Sequence, residues 1–177
     1  MRGSEMEYWD IYDKDGRFTG KVIEKGQALG AEEFHLAMEA WVRNCQGEFL
    51  LQQRSLQCEI LPGMWGLCTG RMLAGEDTKT GCIRELAEEL GIRARPEELR
   101  FLRRILRQDG TQLIWDIYLL QREIDCRKLA FQPEEVAAAI WASPAQMREM
   151  IAAGELFFYP EFWEVVEQIE KIYEKRA

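Results

Sequence analysis

Three glutamates stand close together in one segment of this 177-residue sequence. Glu85, Glu88 and Glu89 are spaced at i, i+3 and i+4, so on a helix their carboxylates project from one face. Like charges so placed repel each other, by roughly 0.2–0.5 kcal/mol per i,i+4 pair in an isolated helix. Magnesium would relieve this repulsion, because it takes a few carboxylates as ligands and completes its octahedron with water and phosphate oxygens. The spacing therefore indicates a magnesium site, with manganese as an alternative ion, that leaves positions open for a diphosphate.

A solvated acidic face is the ordinary alternative for such a run, since glutamate is a good helix former. The neighbouring residues help to decide between the two interpretations. Arg84 can pair with an adjacent carboxylate. Glu76 lies just before the segment and can accept from Arg84 or from the first amides of a helix. We therefore expect Glu76 to support the site structurally.

A helix must present these carboxylates, and the sequence predicts one over residues 78–90. Asp77 or Thr78 can cap its first turn, and Gly91 follows where a left-handed C-terminal cap belongs. The apolar positions that recur at helical spacing are Cys82, Leu86 and Leu90. This segment is the best-defined element in the sequence.

Strands account for most of the remaining chain. Alternating residues around Asp15 and Gly16 predict an N-terminal hairpin at about 7–24. Ser143 and Pro144 mark the start of a further helix, and the tail predicts an amphipathic helix at about 160–175. The predicted strands of the core, at about 33–158, read HLAMEAWV, FLLQQRS, MWGLCTG, LRFLRRILR, TQLIWDIYLLQRE and VAAAIWAS. Without an internal repeat or a long linker, residues 1–177 are expected to form one α+β domain with helices covering a mixed sheet.

The composition excludes several classes of protein. Hydrophobic residues make up 47% of the chain, and it contains no apolar run of eighteen or more residues. The start is acidic and aromatic, unlike a signal peptide, so we expect a cytoplasmic protein with no membrane contact. A formal charge of −8 argues against nucleic acid as a partner, since phosphate backbones are held by clustered Lys and Arg. Five cysteines without a C-x-x-C pair indicate buried, reduced thiols.

The segment Gly70–Ile92, GRMLAGEDTKTGCIRELAEELGI, resembles the Nudix box. That pattern is Gly, five residues, Glu, seven residues, Arg, Glu, aliphatic, any, Glu, Glu, any, Gly, aliphatic, and every specified position matches. A chance match in a chain of this length has odds on the order of one in a million. The resemblance implies an α/β/α sandwich with a mixed central sheet flanked by helices. It also implies a reaction in which water attacks a phosphorus of a diphosphate, often in a nucleoside diphosphate joined to another group.

The resemblance also implies roles for individual residues. It implies that magnesium is held by three carboxylates and one backbone carbonyl, those of Glu85, Glu88, Glu89 and Gly70. Arg84 would orient a glutamate. The family varies in which carboxylate acts as the general base, so Glu85 and Glu88 both stay candidates for activating the water.

Outside the box, the chain resembles the isopentenyl-diphosphate isomerase-like branch of the family over about 7–158. The shared segments are EYWDIYDKDGRFTG, FHLAMEAWVRN, FLLQQRS and PGMW. True isomerases use a cysteine before the box glycine as an acid/base and a histidine after it as a metal ligand, where this chain has Thr69 and Arg71. Cys68 lies one residue too early, which on a strand points its side chain to the opposite face. The substitutions favour hydrolysis over isomerisation.

Positions outside the box keep two interpretations each. The isomerases hold the diphosphate with an arginine and a lysine four residues later; here Arg54 is kept and Cys58 replaces the lysine. Arg54 is therefore either a substrate contact or part of a surface salt bridge. His35 matches an isomerase ligand, although a lone histidine on an apolar strand favours a hydrogen-bonded core role. Many family members add a carboxylate from elsewhere, and Glu134 and Glu135 are candidates, with a helix-start or surface role as the alternative.

The box handles the diphosphate and leaves the rest of the substrate open. A nucleoside diphosphate sugar, a dinucleotide, a damaged nucleoside triphosphate and an isoprenoid diphosphate are all compatible with it, and a non-catalytic nucleotide-binding module is a further alternative. Trp9, Trp65 and Trp115 are candidates for stacking against a base, with core or rim positions as the alternative. The aromatic N-terminal hairpin and the FFYPEFW stretch are candidates for a homodimer interface.

Overall fold

The first element of the fold is a hairpin. In the computed structural model, which describes residues 6–174, β1 (Tyr8–Tyr12) pairs antiparallel with β2 (Phe18–Glu24). Gly16 adopts φ 77° in the turn between them, a left-handed conformation that glycine reaches without a Cβ clash. The hairpin has a small core of its own formed by Trp9, Ile11 and Ile23. Backbone hydrogen bonds between Tyr12 and Phe34 connect it to the main sheet.

A mixed seven-stranded sheet forms the centre of the protein. Its strands are β3 (His35–Arg43), β4 (Phe49–Arg54), β5 (Trp65–Gly66), β6 (Cys68–Arg71), β7 (Leu99–Arg107), β8 (Leu113–Gln121) and β9 (Val136–Ala142). The order is β5-β4-β3-β8-β7, with β6 added to β3 and β9 added to β4. The predicted strand MWGLCTG is therefore two strands, because β5 bonds to β4 whereas β6 bonds to β3. Among the described strands, β3 and β8 run parallel and the other pairs are antiparallel.

The three helices are α1 (Thr78–Leu90), α2 (Pro144–Ala152) and α3 (Phe162–Glu174) within residues 6–174. The prediction for α1 is confirmed at both ends. Asp77 caps its first turn by accepting from the Thr80 amide at 2.7 Å. Gly91 ends it at φ 68°, and its amide donates to the carbonyl of Ala87. None of these helices is long and apolar enough to cross a lipid bilayer.

Alternation along β3 divides the core into two layers. Met38 and Ala40 belong to the layer under α1, whereas Ala37 and Trp41 belong to the layer under α3. Both faces of β3 are therefore covered, as its nearly continuous apolar sequence indicates. This arrangement confirms the predicted α+β sandwich. It also places Glu39 on the α3 side of the sheet.

The cysteines differ from their predicted environment. All five carry free thiols, and Cys68 and Cys82 are buried as expected. Cys45 is exposed, and Cys58 and Cys126 are partly exposed. The expectation of burial was wrong for these three because they lie in connections between strands, where backbone and side chains face solvent.

Candidate active site

The three glutamates of α1 line one cavity of about 710 Å³, a size typical of small-molecule sites. Glu89 is 6% exposed, and its carboxylate accepts a hydrogen bond of 2.7 Å from the Gln52 amide on β4. The side chain of Glu88 is about half exposed. Glu85 lies between these extremes, at the point where α1 packs on β6. The structure thus brings together the three carboxylates that the sequence singled out.

Arg84 joins these carboxylates into a network. Its Nε and Nη2 atoms donate to the two oxygens of Glu76, each at 2.8 Å. Its Nη1 atom donates to Glu85 at 2.8 Å and to Glu88 at 3.0 Å. Glu76 also accepts from the backbone amide of Leu73 at 3.1 Å. Glu76 therefore holds Arg84 in place, which is the supporting role that the sequence indicated.

The Glu85 side chain occupies the space that a Cβ at Gly70 would fill. A Cβ at this position of β6 would lie 2.3 Å from the carboxyl carbon of Glu85, far inside van der Waals contact. No side chain larger than hydrogen fits there while Glu85 keeps its place. The box glycine thus lets the helix carboxylate approach the strand backbone closely.

The burial of these carboxylates is costly. Burial raises the pKa of Glu85 to about 7, although Arg84 opposes the shift. Burial also raises the pKa of Glu89, against the hydrogen bond from Gln52. The amide oxygen of Gln52 is itself buried without a hydrogen-bond partner in residues 6–174. Glu89 and Gln52 therefore place oxygen atoms close together in the interior, where little positive charge compensates them.

A hard divalent cation suits this donor set, because magnesium and manganese prefer carboxylate and carbonyl oxygens. Within residues 6–174, no three acidic, histidine or cysteine side chains enclose an ion-sized space on their own. The guanidinium of Arg84 already binds both Glu85 and Glu88. A cation would share these two carboxylates with Arg84.

His35 is paired with an arginine. It is fully buried, its Nε2 lies 3.0 Å from Nη1 of Arg71, and its ring packs at a tilt against Trp9, with the ring centroids 4.2 Å apart. Since a guanidinium only donates, His35 accepts here. Burial, together with the Arg71 charge, lowers its pKa to about 3, so the ring is neutral at pH 7. The arrangement is that of a hydrogen-bonded core histidine, and a cation stands where the isomerases place a second histidine.

The two neighbouring positions of β6 face opposite ways. Cys68 is buried under α1, and burial together with the charges of Glu89 and Glu85 raises its thiol pKa well above the usual range. Thr69 lines the cavity instead. The residue at the isomerase acid/base position is therefore a hydroxyl that reaches the site, while the thiol next to it points into the core.

The candidates outside the box are separated by the fold. Arg54 and Glu135 both line the cavity, whereas Glu134 is exposed and does not belong to the lining. Nε of Arg54 donates to the carbonyl of Ile60 at 2.7 Å. The charge of Glu135 contributes to the raised pKa of Glu89, so the two carboxylates are electrostatic neighbours. Of the two glutamates that the sequence proposed, Glu135 is the one placed near the acidic helix.

The other half of the cavity is aromatic and contains a buried carboxylate. Trp9, Trp65 and Trp115 all line it, together with residues that the sequence interpretation missed: Glu39, Arg107 and Tyr159. Glu39 is 2% exposed, and one of its oxygens accepts from Trp41 Nε1 and from the Tyr159 hydroxyl, both at 2.6 Å. The signal available in the sequence was a lone glutamate inside an apolar strand, which requires either a partner or a ligand.

The wild-type protein should lose stability as the pH rises and Glu39 ionises, and Glu39→Gln should remove this loss because an amide does not ionise. Burial raises the pKa of Glu39 in the folded protein from 4.5 to about 7, so between these values the folded chain holds a proton that the unfolded chain releases. The free energy of unfolding should therefore fall as the pH rises through this window, by roughly 3 kcal/mol in total. Thermal melts should show the Tm of the variant gaining on that of the wild type from pH 5 to pH 8. A constant difference would contradict the assignment, and Glu164→Gln serves as the control.

The amino-acid sequence also matches proteins of known family. The NUDIX domain model matches residues 33–162. An uncharacterised Nudix hydrolase of Listeria monocytogenes is 30% identical over 155 residues, which cover 87% of this chain and 90% of the relative. An isopentenyl-diphosphate Delta-isomerase of Nocardia farcinica is 29% identical over 172 residues, covering 95% and 97% of the two chains.

Solved structures show the same fold. A protein of Deinococcus radiodurans superposes with a TM-score of 0.73 at 22% identity, covering 92% of this chain and 98% of the other. The NUDIX domain of Shewanella oneidensis NrtR, crystallised with ADP ribose, gives a TM-score of 0.56 at 17% identity, covering 78% and 87%. The chain belongs to the NUDIX domain family. Its fold and relatives make it an enzyme of the Nudix pyrophosphohydrolase class.

Cys68→Ala should leave most of the activity in place. The thiol does not line the cavity itself and contacts the site only through Glu89, so its removal takes away a supporting contact and no group that faces the substrate. Loss of a strong supporting contact costs about ten- to a hundredfold, and a weak thiol donor should cost well below tenfold. Steady-state kinetics on the diphosphate substrate would measure this, with Thr69→Ala as the comparison. Complete loss in Cys68→Ala would instead indicate isomerase-like acid/base chemistry by the thiol.

Proposed function

We propose that this enzyme hydrolyses the diphosphate linkage of a nucleoside diphosphate joined to another group, with Mg²⁺ as its ion and Mn²⁺ as a substitute. The observation that carries the proposal is the intact set of carboxylates on α1, Glu85, Glu88 and Glu89, facing a cavity whose other walls are aromatic and polar. Hydrolysis of a diphosphate needs the carboxylates to hold the ion, and a nucleoside suits the aromatic and polar walls.

The residues that would hold the ion are the oxygen-bearing groups around Gly70, of which Glu85 and Glu88 would be shared with Arg84. They are Glu85, Glu88, Glu89 and the carbonyl of Gly70 itself, with Glu135 as a contributor from outside the helix. When bound, magnesium neutralises the phosphate oxygens, lowers the pKa of a water and stabilises the leaving phosphate.

The remaining steps belong to the side chains. Arg84 keeps Glu85 and Glu88 oriented through hydrogen bonds of 2.8 and 3.0 Å, and Glu76 keeps Arg84 oriented in turn. Either Glu85 or Glu88 accepts the proton of the attacking water. Arg54 lines the cavity and supplies a cation for the phosphate oxygens.

Isomerisation of an isoprenoid diphosphate is the second candidate, supported by the isomerase of Nocardia farcinica among the relatives. Three positions speak against it. Thr69 cannot shuttle a proton as a cysteine does, Arg71 is a cation where a metal ligand is needed, and His35 accepts from that cation. The aromatic and charged cavity also suits a prenyl chain poorly, because a buried carboxylate beside hydrocarbon costs free energy.

A turnover screen tests the proposal. The purified enzyme with Mg²⁺ is offered nucleoside diphosphate sugars, dinucleotides, nucleoside triphosphates and isopentenyl diphosphate, and phosphate or nucleotide release is measured. Release from a nucleoside diphosphate derivative that is lost on removal of the ion supports hydrolysis. Conversion of isopentenyl diphosphate to its isomer without release would establish the second candidate. Thermal stabilisation by a nucleotide without any turnover would identify a binding module instead.

A further inference from the structure

The aromatic half of the cavity contains a carboxylate that the hydrolysis of a diphosphate does not use. Glu39 lies on β3 opposite Thr69 of β6, one residue before Gly70. Its side chain points to the α3 side of the sheet, whereas Gly70 and Glu85 meet on the α1 side. Both faces contribute to one cavity. The cavity therefore offers a ligand whose diphosphate lies against Glu85 room for a distal group beside Glu39.

One oxygen of Glu39 is already occupied and the other is free. Oε1 accepts from Trp41 Nε1 and from the Tyr159 hydroxyl, both at 2.6 Å. Oε2 accepts from no donor within residues 6–174, and it is not among the sealed, unpartnered atoms of the interior. A 2% exposed residue that lines a cavity with one unused oxygen is a built acceptor for a ligand.

The surroundings of this acceptor suit a planar ring. Trp115 and Tyr159 are nearly buried, with ring centroids 4.7 Å apart, and both border the cavity together with Trp65. The guanidinium of Arg107 lies 5.9 Å from the Trp115 ring and 5.5 Å from the Tyr159 ring, held by Glu161. Aromatic faces stack on flat groups, and a fixed guanidinium can both stack on them and donate to their carbonyl or ring nitrogen atoms.

We infer that Glu39 selects substrates whose nucleobase carries an exocyclic amine, which donates to its free oxygen on the face of the sheet opposite the acidic helix. Above its pKa of about 7, the ionised Glu39 carboxylate accepts from the amine of cytosine, adenine or guanine, whereas the carbonyl that replaces this amine in uracil repels it, so the test is run at pH 8. The inference rests on the proposed function in taking the ligand to be a nucleotide. It goes beyond that proposal in naming the recognised group and the residue that recognises it.

Two sugar nucleotides make a matched pair for the test, since CDP-glucose and UDP-glucose differ in the amine or oxygen at ring position 4 and in the protonation of the adjacent ring nitrogen. We expect kcat/KM for CDP-glucose to exceed that for UDP-glucose by at least about tenfold, mainly through KM. ADP-glucose and GDP-glucose should both be used better than UDP-glucose. Equal use of the two pyrimidine compounds by the wild type would overturn the inference.

Glu39→Gln is the informative variant because it keeps the shape of the side chain. The amide oxygen can still accept from Trp41 and Tyr159, which turns the amide NH₂ towards the ligand. This NH₂ donates to the uracil carbonyl and opposes an amine, so the ratio of the two substrates should fall to about one or below. Glu164→Gln changes an exposed carboxylate on α3 and should keep the wild-type ratio. A wild-type ratio in Glu39→Gln would remove Glu39 from base recognition.

A binding measurement separates this inference from the proposed function. CMP and UMP contain no diphosphate bond, so their affinities can be measured by titration calorimetry without turnover. Tighter binding of CMP with no hydrolysis of any compound in the screen would support base recognition and defeat the hydrolase proposal. Hydrolysis of both pyrimidine compounds at equal rates would do the reverse. Binding of neither nucleotide would overturn the inference, while release of phosphate from another diphosphate in the screen would leave hydrolysis intact.

Discussion

Glu89→Gln should lower kcat by about 10²–10³-fold while the protein stays folded. The carboxylate is proposed to hold the ion, and loss of one charged ligand removes several kcal/mol of transition-state stabilisation, which this factor expresses. Folding should survive because Gln52 can still donate its hydrogen bond to the amide oxygen of the variant. The substitution also removes a carboxylate whose burial is costly.

Three measurements check this expectation. Steady-state kinetics give kcat, thermal melts give the Tm, and electron paramagnetic resonance with Mn²⁺ gives the affinity for the ion. We expect a weaker affinity for Mn²⁺, a Tm at or above that of the wild type, and almost no turnover. Glu164→Gln is the matched control, since its side chain is 64% exposed and pairs with Arg103 away from the cavity. Turnover at the wild-type rate in Glu89→Gln would remove Glu89 from the ion site.

Gly70→Ala should reduce activity by about a hundredfold with little change in stability. The new methyl group would lie 2.3 Å from the Glu85 carboxyl, so that side chain must move. Its atoms are the far end of a flexible chain, and the backbone of β6 can stay where it is. Displacement of a catalytic group by about 1 Å is sufficient to cost about a hundredfold in rate. The substitution thus tests whether the position of Glu85 matters and not only its presence.

The control for folding is another strand glycine. A Cβ at Gly66 of β5 would meet nothing within 4 Å, so Gly66→Ala reports the effect of the substitution type on the Tm. We expect Gly70→Ala and Gly66→Ala to melt within a few degrees of each other. A large fall in Tm for Gly70→Ala alone would show that the strand moves instead of Glu85. Unchanged kcat/KM in Gly70→Ala would mean that the observed contact between Gly70 and Glu85 has no catalytic role.

The acidic helix shows how far local rules reach. Its start at Asp77, its left-handed end at Gly91 and the single face of its glutamates are consequences of helical geometry over thirteen residues. Such features depend on neighbours within four positions, so they can be derived from the sequence with no knowledge of the fold. The strand MWGLCTG is the contrary case, because β5 and β6 are separated by their different partners and not by their own residues.

The sequence also left pairs of candidates that local rules could not separate. Glu134 and Glu135 are adjacent, yet the approach of this segment to Arg54 and Ser55 leaves Glu135 in the cavity and Glu134 in solvent. The pairing of β3 with β6 likewise brings Arg71 to His35, 36 positions away in the sequence. Each outcome depends on strand register, which is set by the packing of whole layers.

The sequence by itself therefore determined which carboxylates share one helix face and where the glycine and arginine of the box stand, since the order and spacing of Gly70, Arg84, Glu85, Glu88 and Glu89 are local properties of one strand and one helix. Only the tertiary structure decided which residues line the rest of the cavity that the carboxylates face. Glu39 and Tyr159 form a hydrogen bond of 2.6 Å across 120 positions of the chain, and Arg107 comes from the end of β7. No periodicity records such contacts, because they arise when strands that are distant in the sequence pair and the helix α3 closes over them.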